Sequence, residues 1–333
     1  MRRSRIIGTG HYVPPRVVTN ADLEAQLETD HEWIVQRTGI AERRFVDEGV
    51  GTADLGAEAA KNALDAAGLT PADIDFIIFA TLSPDYTFPG SGVLLQEKLG
   101  CGTIGVLDVR NQCTGFLYSL SIADQFIRSG MYNRILVVGA EVHSTGLDMT
   151  KRGRDVSVIF GDGAGAVVVG PSESEEQGIL SSHLHAEGKF AKKLWTELPG
   201  SIYHDRFGES EWWDEAGRQY PKMEGRYVFM HAVTRLPEVI NEALQAHSLS
   251  MDDIDILVPH QANLRINQKV AEMLGIPEEK VINNIQRYGN TTAGSIPIAL
   301  DEAVRDGRVT RGKLVMLAGF GAGFTWAATP IRW

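Results

Sequence analysis

The chain has 333 residues, and at roughly 100–200 residues per domain this length predicts two domains or one large duplicated domain. With 43% hydrophobic and 23% charged residues, the composition is that of a globular protein and excludes disordered, fibrous and membrane-spanning classes. The formal net charge of −11 excludes a globally basic surface for nucleic acid, and two cysteines are too few for a disulfide scaffold.

The start of the chain and its apolar segments indicate the cellular location of the protein. The chain begins with MRRSR and the short run IIG, and no apolar stretch of signal-peptide length follows. The longest apolar segments, at 135–140 and 164–169, are far shorter than the roughly 20 residues that cross a bilayer, and they are typical of buried strands. We therefore expect a cytoplasmic protein with reduced cysteines and no membrane partner.

Two stretches of the chain share one pattern. Residues 66–80 read AAGLTPADIDFIIFA and residues 246–260 read AHSLSMDDIDILVPH, with five identical positions, and each copy is typical of a helix, a polar turn and an apolar strand. Alternating helices and strands predict largely parallel, buried sheets. We therefore predict two similar α/β halves, at 1–172 and 173–333, joined by an exposed stretch rich in Ser and Glu.

Cys113 is the first candidate for chemistry. It lies in the run DVRNQCTGF, between strand-like residues 103–109 and residues 114–128, whose apolar positions have helical spacing. A helix N-terminus stabilises a thiolate and lowers the thiol pKa, and the thiolate is the nucleophile that acyl transfer through a thioester needs. Free cysteines are also common as small core residues, so local context leaves both interpretations open. Cys101, in a loop before a strand, favours the structural interpretation.

His260 and Asn290 form a second pair of candidates. His260 follows the apolar strand predicted at 254–258, at the carboxyl end where α/β sheets place their chemistry. Asn290 lies in the glycine- and hydroxyl-rich run RYGNTTAGSIP, ahead of a helix predicted at 297–304. Each residue alone is equally well explained by a structural role in a strand-end loop or a helix cap. The duplication, however, places the Cys113 and Asn290 turns at equivalent positions, where both could converge at one interface.

Taken together, these segments closely resemble the 3-oxoacyl-[acyl-carrier-protein] synthase III family, the initiating condensing enzymes of type II fatty-acid synthesis. The resemblance runs from IIGTG at 6–10 to GFGAGFTW at 319–326 and covers nearly the whole chain. It implies a homodimer with the thiolase-like fold, in which two duplicated α/β halves form five αβαβα layers. The most specific segments are EWIVQRTGI at 32–40, the Cys113 turn, FGDGAG at 160–165, HQANLRI at 260–266 and GNTT at 289–292.

The resemblance implies an acyltransferase with the catalytic set Cys113, His260 and Asn290. Cys113 would take the acyl group from an acyl-CoA, and His260 and Asn290 would donate hydrogen bonds to the thioester oxygen of malonyl-acyl carrier protein as carbon dioxide leaves. The backbone N–H groups of Cys113 and Ala322 would stabilise the tetrahedral oxyanion, although many family members have glycine at the position of Ala322. The resemblance implies neither a cofactor nor a metal, because the CoA thioester is a substrate.

Further residues match positions at which the family binds its substrates. Arg265 is expected to contact the acidic acyl carrier protein, since a chain with net charge −11 needs a local basic surface for an acidic partner. Phe88 matches a residue that crosses the dimer interface, and with Phe320 it is assigned to the acyl pocket. The residues that the resemblance assigns to CoA are Thr29, Trp33, Arg37, Arg154, Gly225, Phe229 and Asn263.

The stretch 190–229 departs from the compact members of the family. It is longer and holds nine of the chain's 26 aromatic residues. It is either a lid or enlarged acyl pocket, or an extended loop that needs aromatic residues to pack. The primer therefore stays open: acetyl-CoA is the default, and branched or medium-chain primers and a condensing enzyme of a secondary-metabolite pathway are alternatives.

Two other functions fit parts of the sequence. The run GFGAG at 319–323 is a weak match to a dinucleotide-binding loop, because it lacks the GxGxxG spacing and the chain is too short for an acidic residue about 20 positions further on. A non-catalytic CoA-binding protein on the same fold is the second alternative. The intact set of Cys113, His260 and Asn290 argues against it.

Overall fold

The structure is a computed structural model that describes residues 2–202 and 217–333. The N-terminal part comprises β1 (Ser4–Tyr12), β2 (Val17–Thr19), α1 (Asn20–Leu27), α2 (His31–Thr38), β3 (Glu42–Arg44), α3 (Thr52–Ala67), β4 (Phe76–Ala80), α4 (Ser91–Leu99), β5 (Gly105–Val109), α5 (Gly115–Ser129), β6 (Ile135–Glu141), α6 (Arg154–Ser157) and β7 (Gly163–Pro171). The C-terminal part comprises β8 (Gly178–Ile179), β9 (His183–Ala186), β10 (Leu194–Trp195), β11 (Lys222–Met223), α7 (Gly225–Gln245), β12 (Ile256–Pro259), α8 (Leu264–Leu274), α9 (Ile285–Tyr288), α10 (Ser295–Arg305), β13 (Leu314–Gly321) and β14 (Thr325–Arg332).

Each part of the chain builds one five-stranded sheet. The first has the order β1-β7-β6-β4-β5, with β4 parallel to β5 and β6 and with β7 antiparallel to β6 and β1. The second has the order β12-β13-β14-β8, with β9 also paired to β14. In it β12 and β13 are parallel, whereas β13 and β14 are antiparallel. The prediction of largely parallel sheets is therefore wrong, because a direct connection such as that between β13 and β14 reverses the strand direction.

The repeated sequence pattern corresponds to a repeated backbone clamp. In the first copy the side chain of Asp75 accepts the backbone N–H of Arg134 at 2.9 Å, and Arg134 directly precedes the neighbouring strand β6. In the second copy Asp255 accepts the backbone N–H of Leu314 at the start of β13, at 2.7 Å. The two aspartates thus join the start of one strand to the start of the next, which explains why this residue type recurs in both copies.

The apolar clusters fix the order of the layers. Buried side chains of α5 and α10 pack against strands of both sheets, so these two helices lie between the sheets. Helices α3 and α4 cover the outer face of the first sheet, and α7 and α8 cover the outer face of the second. These five layers confirm the expected αβαβα architecture. In the described part of the chain, none of the helices is both long and apolar enough to cross a bilayer.

The two central helices bring their preceding turns together. Phe116, Leu117 and Leu120 of α5 are fully buried, and each side chain of this size contributes about 1.5–3 kcal/mol when it is removed from water. A methyl group placed on Gly115, the first residue of α5, would lie 3.6 Å from the Cβ of Ala293, in the turn before α10. The turns that carry Cys113 and follow Asn290 therefore meet at the centre of the molecule.

Candidate active site

A cavity of about 1480 Å³ opens between the two parts of the chain. Cys113 from the first part and His260 and Asn290 from the second all line it. These side chains are 7%, 4% and 5% exposed, so the three groups share a site from which most water is excluded. Because buried electrostatic interactions are stronger than those in water, a hydrogen-bond donor placed here has a large effect on a charge that develops in the cavity.

Cys113 lies in a short 3-10 turn, Gln112–Thr114, that leads directly into α5. The turn follows β5, as the sequence predicts, and the predicted helix at 114–128 is observed as Gly115–Ser129. Gln112, the residue before the cysteine, has a left-handed backbone with φ 44°. On the other side of the thiol, β13 approaches so closely that a Cβ on Gly321 would lie 2.8 Å from Sγ, and only glycine fits there.

The ionisation of Cys113 differs from the sequence-based expectation. A helix N-terminus favours the thiolate, but burial raises the pKa of the Cys113 thiol to about 12. The backbone N–H of Ala322 lowers the pKa of the thiol, whereas the carboxyl of Glu141 raises it. The prediction of a lowered pKa is therefore wrong for the free protein, because the loss of hydration outweighs the hydrogen bonds offered by the turn.

We expect the alkylation of Cys113 by iodoacetamide to show this raised pKa directly. Because only the thiolate reacts, the rate should rise about tenfold with each pH unit and should not level off between pH 6 and about pH 9. The measurement is the mass of the intact protein against time at each pH, with Cys113→Ala to correct for Cys101. A plateau that begins near neutral pH would show that the helix N-terminus outweighs burial.

His260 is the first residue after β12, and its side chain is buried. Burial lowers the pKa of His260 to about 3, so at physiological pH the ring is uncharged and keeps one N–H. Its Nδ1 lies 2.6 Å from the hydroxyl oxygen of Ser295. Its Nε2 is buried and has no hydrogen-bond partner among the described residues. One ring nitrogen is therefore held by the protein, and the other remains for a ligand.

Asn290 is held from both its backbone and its side chain. Its backbone N–H donates to the carbonyl of Ile159 at 2.8 Å. Its side-chain oxygen accepts the backbone N–H of Thr292 at 2.8 Å, which leaves the side-chain NH₂ as the group that can donate to a ligand. Thr292 has a left-handed backbone with φ 45°, like Gln112 before Cys113, so the two halves use the same kind of turn at the site.

The sequence analysis did not identify two ionisable residues near the site, Glu141 and His143. Glu141, at the end of β6, is fully buried, and burial raises the pKa of its carboxyl to about 7, although the hydroxyls of Ser83 and Thr81 donate hydrogen bonds to it. His143 lines the cavity, and burial lowers its pKa to about 3. Both residues follow an apolar run in the sequence, and that pattern alone predicts only a strand end.

Comparisons with known proteins show the family of the chain. Models of 3-oxoacyl-[acyl-carrier-protein] synthase III and of its C-terminal part match residues 107–188 and 244–333. A beta-ketoacyl-[acyl-carrier-protein] synthase III of Rhizorhabdus wittichii is 45% identical over 333 residues and 100% of both chains. One of Xanthomonas euvesicatoria is 46% identical over 330 residues, which are 99% of this chain and 98% of the other. The chain belongs to the 3-oxoacyl-[acyl-carrier-protein] synthase III family.

A solved structure of a synthase III supports the same assignment. The crystal structure of 3-oxoacyl-[acyl-carrier-protein] synthase III from Aquifex aeolicus is 42% identical and superposes with a TM-score of 0.90. The match covers 99% of this chain and 100% of that chain. The family resemblance and the thiolase-like fold predicted from the sequence are thereby confirmed, and so is the assignment of the protein to the condensing acyltransferases.

The structure contradicts the alternative that residues 319–323 form a dinucleotide-binding loop. The run GFGAG at 319–323 covers the end of β13 and the turn into β14, and no helix follows it. A dinucleotide-binding loop needs a helix N-terminus after its glycines, because that terminus holds the phosphates. In this chain Gly321 instead makes room for Cys113.

Trp33, Arg37 and Arg154, which the resemblance assigns to CoA, stand together at the edge of the cavity. The guanidinium of Arg37 lies 4.2 Å from the ring centre of Trp33, and that of Arg154 lies 4.9 Å from it. Cation–π contact of this kind holds Arg154 directly on the indole. An adenine sandwiched between Trp33 and Arg154 would therefore have to displace Arg154 from the ring.

The remaining residues assigned to CoA fall into two groups. Gly225 and Phe229, at the start of α7, and Asn263, at the start of α8, line the cavity. The side chain of Asn263 also accepts the backbone N–H of Arg265 and donates to the carbonyl of Arg37, so it has a structural role as a helix cap. Thr29 is not among the residues that line the cavity, and its hydroxyl is buried with no partner in the described part of the chain.

The residues assigned to the acyl pocket and the carrier protein also differ in position. Phe320 is 4% exposed and lines the cavity, packed against Phe324. Phe88 is 84% exposed and lies outside the cavity lining. Arg265 is exposed at the cavity edge, as a contact with an external partner requires.

The described aromatic residues of the stretch 190–229 lie in two places, the cavity lining and the packed interior of the fold. Trp195 and Phe229 line the cavity, whereas Phe190 packs on Tyr227 and Phe324 in the fold. Four of its nine aromatic residues, Tyr203, Phe207, Trp212 and Trp213, lie outside the described residues.

Within residues 2–202 and 217–333, no group of three or more His, Cys, Asp or Glu side chains is arranged to hold a metal ion.

Proposed function

We propose that the protein catalyses the decarboxylating condensation of an acyl-CoA primer with malonyl-acyl carrier protein to give 3-oxoacyl-acyl carrier protein, and thereby initiates type II fatty-acid synthesis. The observation that carries this proposal is that the thiol of Cys113 shares one buried cavity with a free imidazole nitrogen of His260 and the amide of Asn290. The cavity thus combines a nucleophile with two groups that can stabilise an enolate.

In the first step the sulfur of Cys113 attacks the thioester carbonyl of the acyl-CoA. The carbonyl oxygen becomes an oxyanion, and the backbone N–H groups of Cys113 and Ala322 donate to it. The support for this pairing is that Ala322 lines the same cavity as Cys113 and that its backbone N–H lowers the pKa of the thiol. The bond between the acyl carbon and the CoA sulfur then breaks, and CoA leaves with the proton that the Cys113 thiol gives up.

In the second step malonyl-acyl carrier protein enters and loses carbon dioxide. The bond to the carboxylate breaks, and its electron pair forms an enolate on the thioester oxygen. Nε2 of His260 and the NH₂ of Asn290 donate hydrogen bonds to that oxygen, and because both groups are held before the reaction they need no reorganisation. The neutral state of His260 suits this role, because a neutral imidazole donates without passing on its proton.

In the third step the enolate carbon attacks the carbonyl of acyl-Cys113. A carbon–carbon bond forms, the bond between the acyl carbon and Sγ breaks, and the sulfur leaves as a thiolate that takes a proton from water. The high pKa of the buried thiol makes the uncharged form its resting state, which protects it from reaction with other electrophiles between turnovers. No step calls for a cofactor, and the CoA thioester is consumed as a substrate.

The partners follow from the same proposal. The acyl carrier protein docks at the cavity edge beside the exposed Arg265, where a local positive charge offsets the net charge of −11. The protein acts as a homodimer, which the exposed side chains of Tyr86 and Phe88 support, since aromatic side chains at 61% and 84% exposure favour a partner surface. The boundary between the two halves of the chain lies between residues 172 and 173.

The two cysteines are buried and free, which fits a reducing compartment such as the cytoplasm.

The primer is a matter for direct measurement. We favour the fatty-acid role over a secondary-metabolite pathway because the similar proteins named above are all synthase III enzymes. Incubation with acyl-CoAs of increasing length, followed by intact-mass analysis, should show one acyl group per chain, and addition of malonyl-acyl carrier protein should then yield 3-oxoacyl-acyl carrier protein and carbon dioxide. If no acyl-CoA gives an adduct, or if adducts form but never condense, the proposal fails.

A further inference from the structure

Ser295 lies where the two hydrogen-bond donors of the site are joined. It is the first residue of α10, five residues after Asn290, and its side chain is 1% exposed. Its hydroxyl oxygen is 2.6 Å from Nδ1 of His260, which comes from β12. The same oxygen accepts the backbone N–H of Gln261 at 3.3 Å. One buried hydroxyl therefore links the strand end that carries His260 to the helix that follows Asn290.

The hydrogen bonds of this hydroxyl decide the direction of the bond to His260. A serine hydroxyl has one proton to donate, and its oxygen can accept. The backbone N–H of Gln261 occupies the oxygen as a donor, and Nδ1 of His260 is the one acceptor for the hydroxyl proton among the described residues. The carbonyl of Thr291, one turn earlier, instead accepts the backbone N–H of Gly294.

The environment of Gln261 keeps this arrangement rigid. Its side-chain NH₂ donates to the carbonyls of Pro259 and Ile282, and its side-chain oxygen accepts the backbone N–H groups of Asn284 and Ile285. All four hydrogen-bonding positions of the amide are thus occupied. The backbone beside His260 cannot shift to offer Nδ1 another partner without breaking this network.

We propose that Ser295 is a positioning residue that fixes the tautomer of His260, by donating its hydroxyl proton to Nδ1 so that the ring proton is carried on Nε2. A neutral imidazole has one donor and one acceptor nitrogen, so a hydrogen bond accepted at Nδ1 makes Nε2 the donor. Nε2 is the buried nitrogen that lacks a partner in the described structure. The hydroxyl thus turns His260 into an N–H donor aimed at the cavity, whereas the opposite tautomer would present a lone pair.

The consequence for the reaction is specific to one step. An enolate oxygen is stabilised by an N–H and repelled by a lone pair, so loss of the Ser295 hydroxyl should slow decarboxylation. Attack of Cys113 on the acyl-CoA uses backbone donors and should be unaffected. This part of the inference rests on the proposed function, whereas the tautomer of His260 does not.

The direct test is the ¹⁵N spectrum of the full-length protein labelled at its nine histidines, with His260→Gln to assign the ring. We expect Nδ1 of His260 to resonate as an unprotonated acceptor and Nε2 to carry the proton. In Ser295→Ala we expect these signals to shift or broaden as the tautomer loses its partner. A protonated Nδ1 in the unmodified protein overturns the proposal, whether or not the protein proves to be a condensing enzyme.

The kinetic test separates the two half-reactions. For Ser295→Ala we expect release of carbon dioxide from malonyl-acyl carrier protein to fall about 10–100-fold, with acylation of Cys113 unchanged; a loss of this size is typical when the hydrogen-bond partner that orients a metal-binding histidine is removed. Ser295→Thr keeps the hydroxyl and should restore most of the rate. Ser119→Ala is the matched control, because Ser119 is a fully buried helix serine whose hydroxyl has no partner in the described residues.

Each other outcome counts against the proposal. Equal loss of acylation and decarboxylation in folded Ser295→Ala would indicate a general structural role. Unchanged decarboxylation in that variant would show that the hydroxyl does not set the donor. If Ser295→Ala fails to fold, the spectrum of the unmodified protein and the rate of Ser295→Thr decide the question.

Discussion

Cys113→Ala should form no acyl adduct with any acyl-CoA, and its condensation rate should fall by about 10⁴–10⁶-fold, as when other covalent nucleophiles are removed. The physical reason is that Cys113 carries the one thiol among the described residues that line the cavity with His260 and Asn290. Intact-mass analysis after incubation with acyl-CoA measures the first effect, and formation of 3-oxoacyl-acyl carrier protein measures the second. The variant should remain folded, since the change removes a single buried sulfur atom.

Cys101→Ala is the matched control for this prediction. Cys101 is the other cysteine of the chain, is 5% exposed and packs in the apolar cluster beside α4. Its removal should leave the adduct and the condensation rate unchanged. The Cys113→Ala variant should also keep a measurable decarboxylation of malonyl-acyl carrier protein, because the two donors remain. An adduct that persists in Cys113→Ala, or that is lost in Cys101→Ala, would contradict the assignment of the nucleophile.

His260→Ala and Asn290→Ala should each accept an acyl group on Cys113 at a normal rate and then fail to decarboxylate malonyl-acyl carrier protein. Removal of one preorganised donor typically lowers the rate about 10²–10³-fold, and we expect a loss of this size from each variant. The double variant should be little slower than either single variant, because the two donors act on one oxygen and their effects do not add. Release of labelled carbon dioxide is the measurement.

The variant Asn290→Asp tests the role of the side-chain NH₂ separately from that of the side-chain oxygen. The carboxylate keeps an oxygen for the backbone N–H of Thr292, so the turn that precedes α10 is preserved. It removes the NH₂ and places a negative charge beside the enolate, so decarboxylation should be at least as slow as in Asn290→Ala. Normal release of carbon dioxide from these variants, or an equal loss of acylation, would refute the assigned roles.

Several features of the site follow from local sequence alone. The strand, turn and helix around Cys113 were predicted to within a residue or two, since the apolar spacing of α5 and the glycine at its end are strong local signals. The repeat of Asp75 and Asp255 identified two related halves, because each side chain serves its own strand connection. The motif segments around His260 and Asn290 placed the chain in its family.

Other features depend on contacts that no local pattern encodes. The antiparallel pairing of β14 with β13 corrected the expectation of largely parallel sheets. The position of Arg154 on the ring of Trp33 depends on a contact across more than a hundred residues of sequence. Phe88 and Thr29 lie outside the cavity lining in the single chain, so their assigned roles remain predictions.

The sequence by itself therefore determined the types of residue and the elements that carry them: a cysteine before a helix, a histidine after a strand and an asparagine in a turn. The tertiary structure decided how these groups behave. Burial between the two halves, and not the helix N-terminus, governs the pKa of Cys113, and a serine 35 residues away holds one nitrogen of His260. Ionisation and hydrogen-bond direction depend on the surroundings of each atom, and those surroundings are assembled from distant parts of the chain.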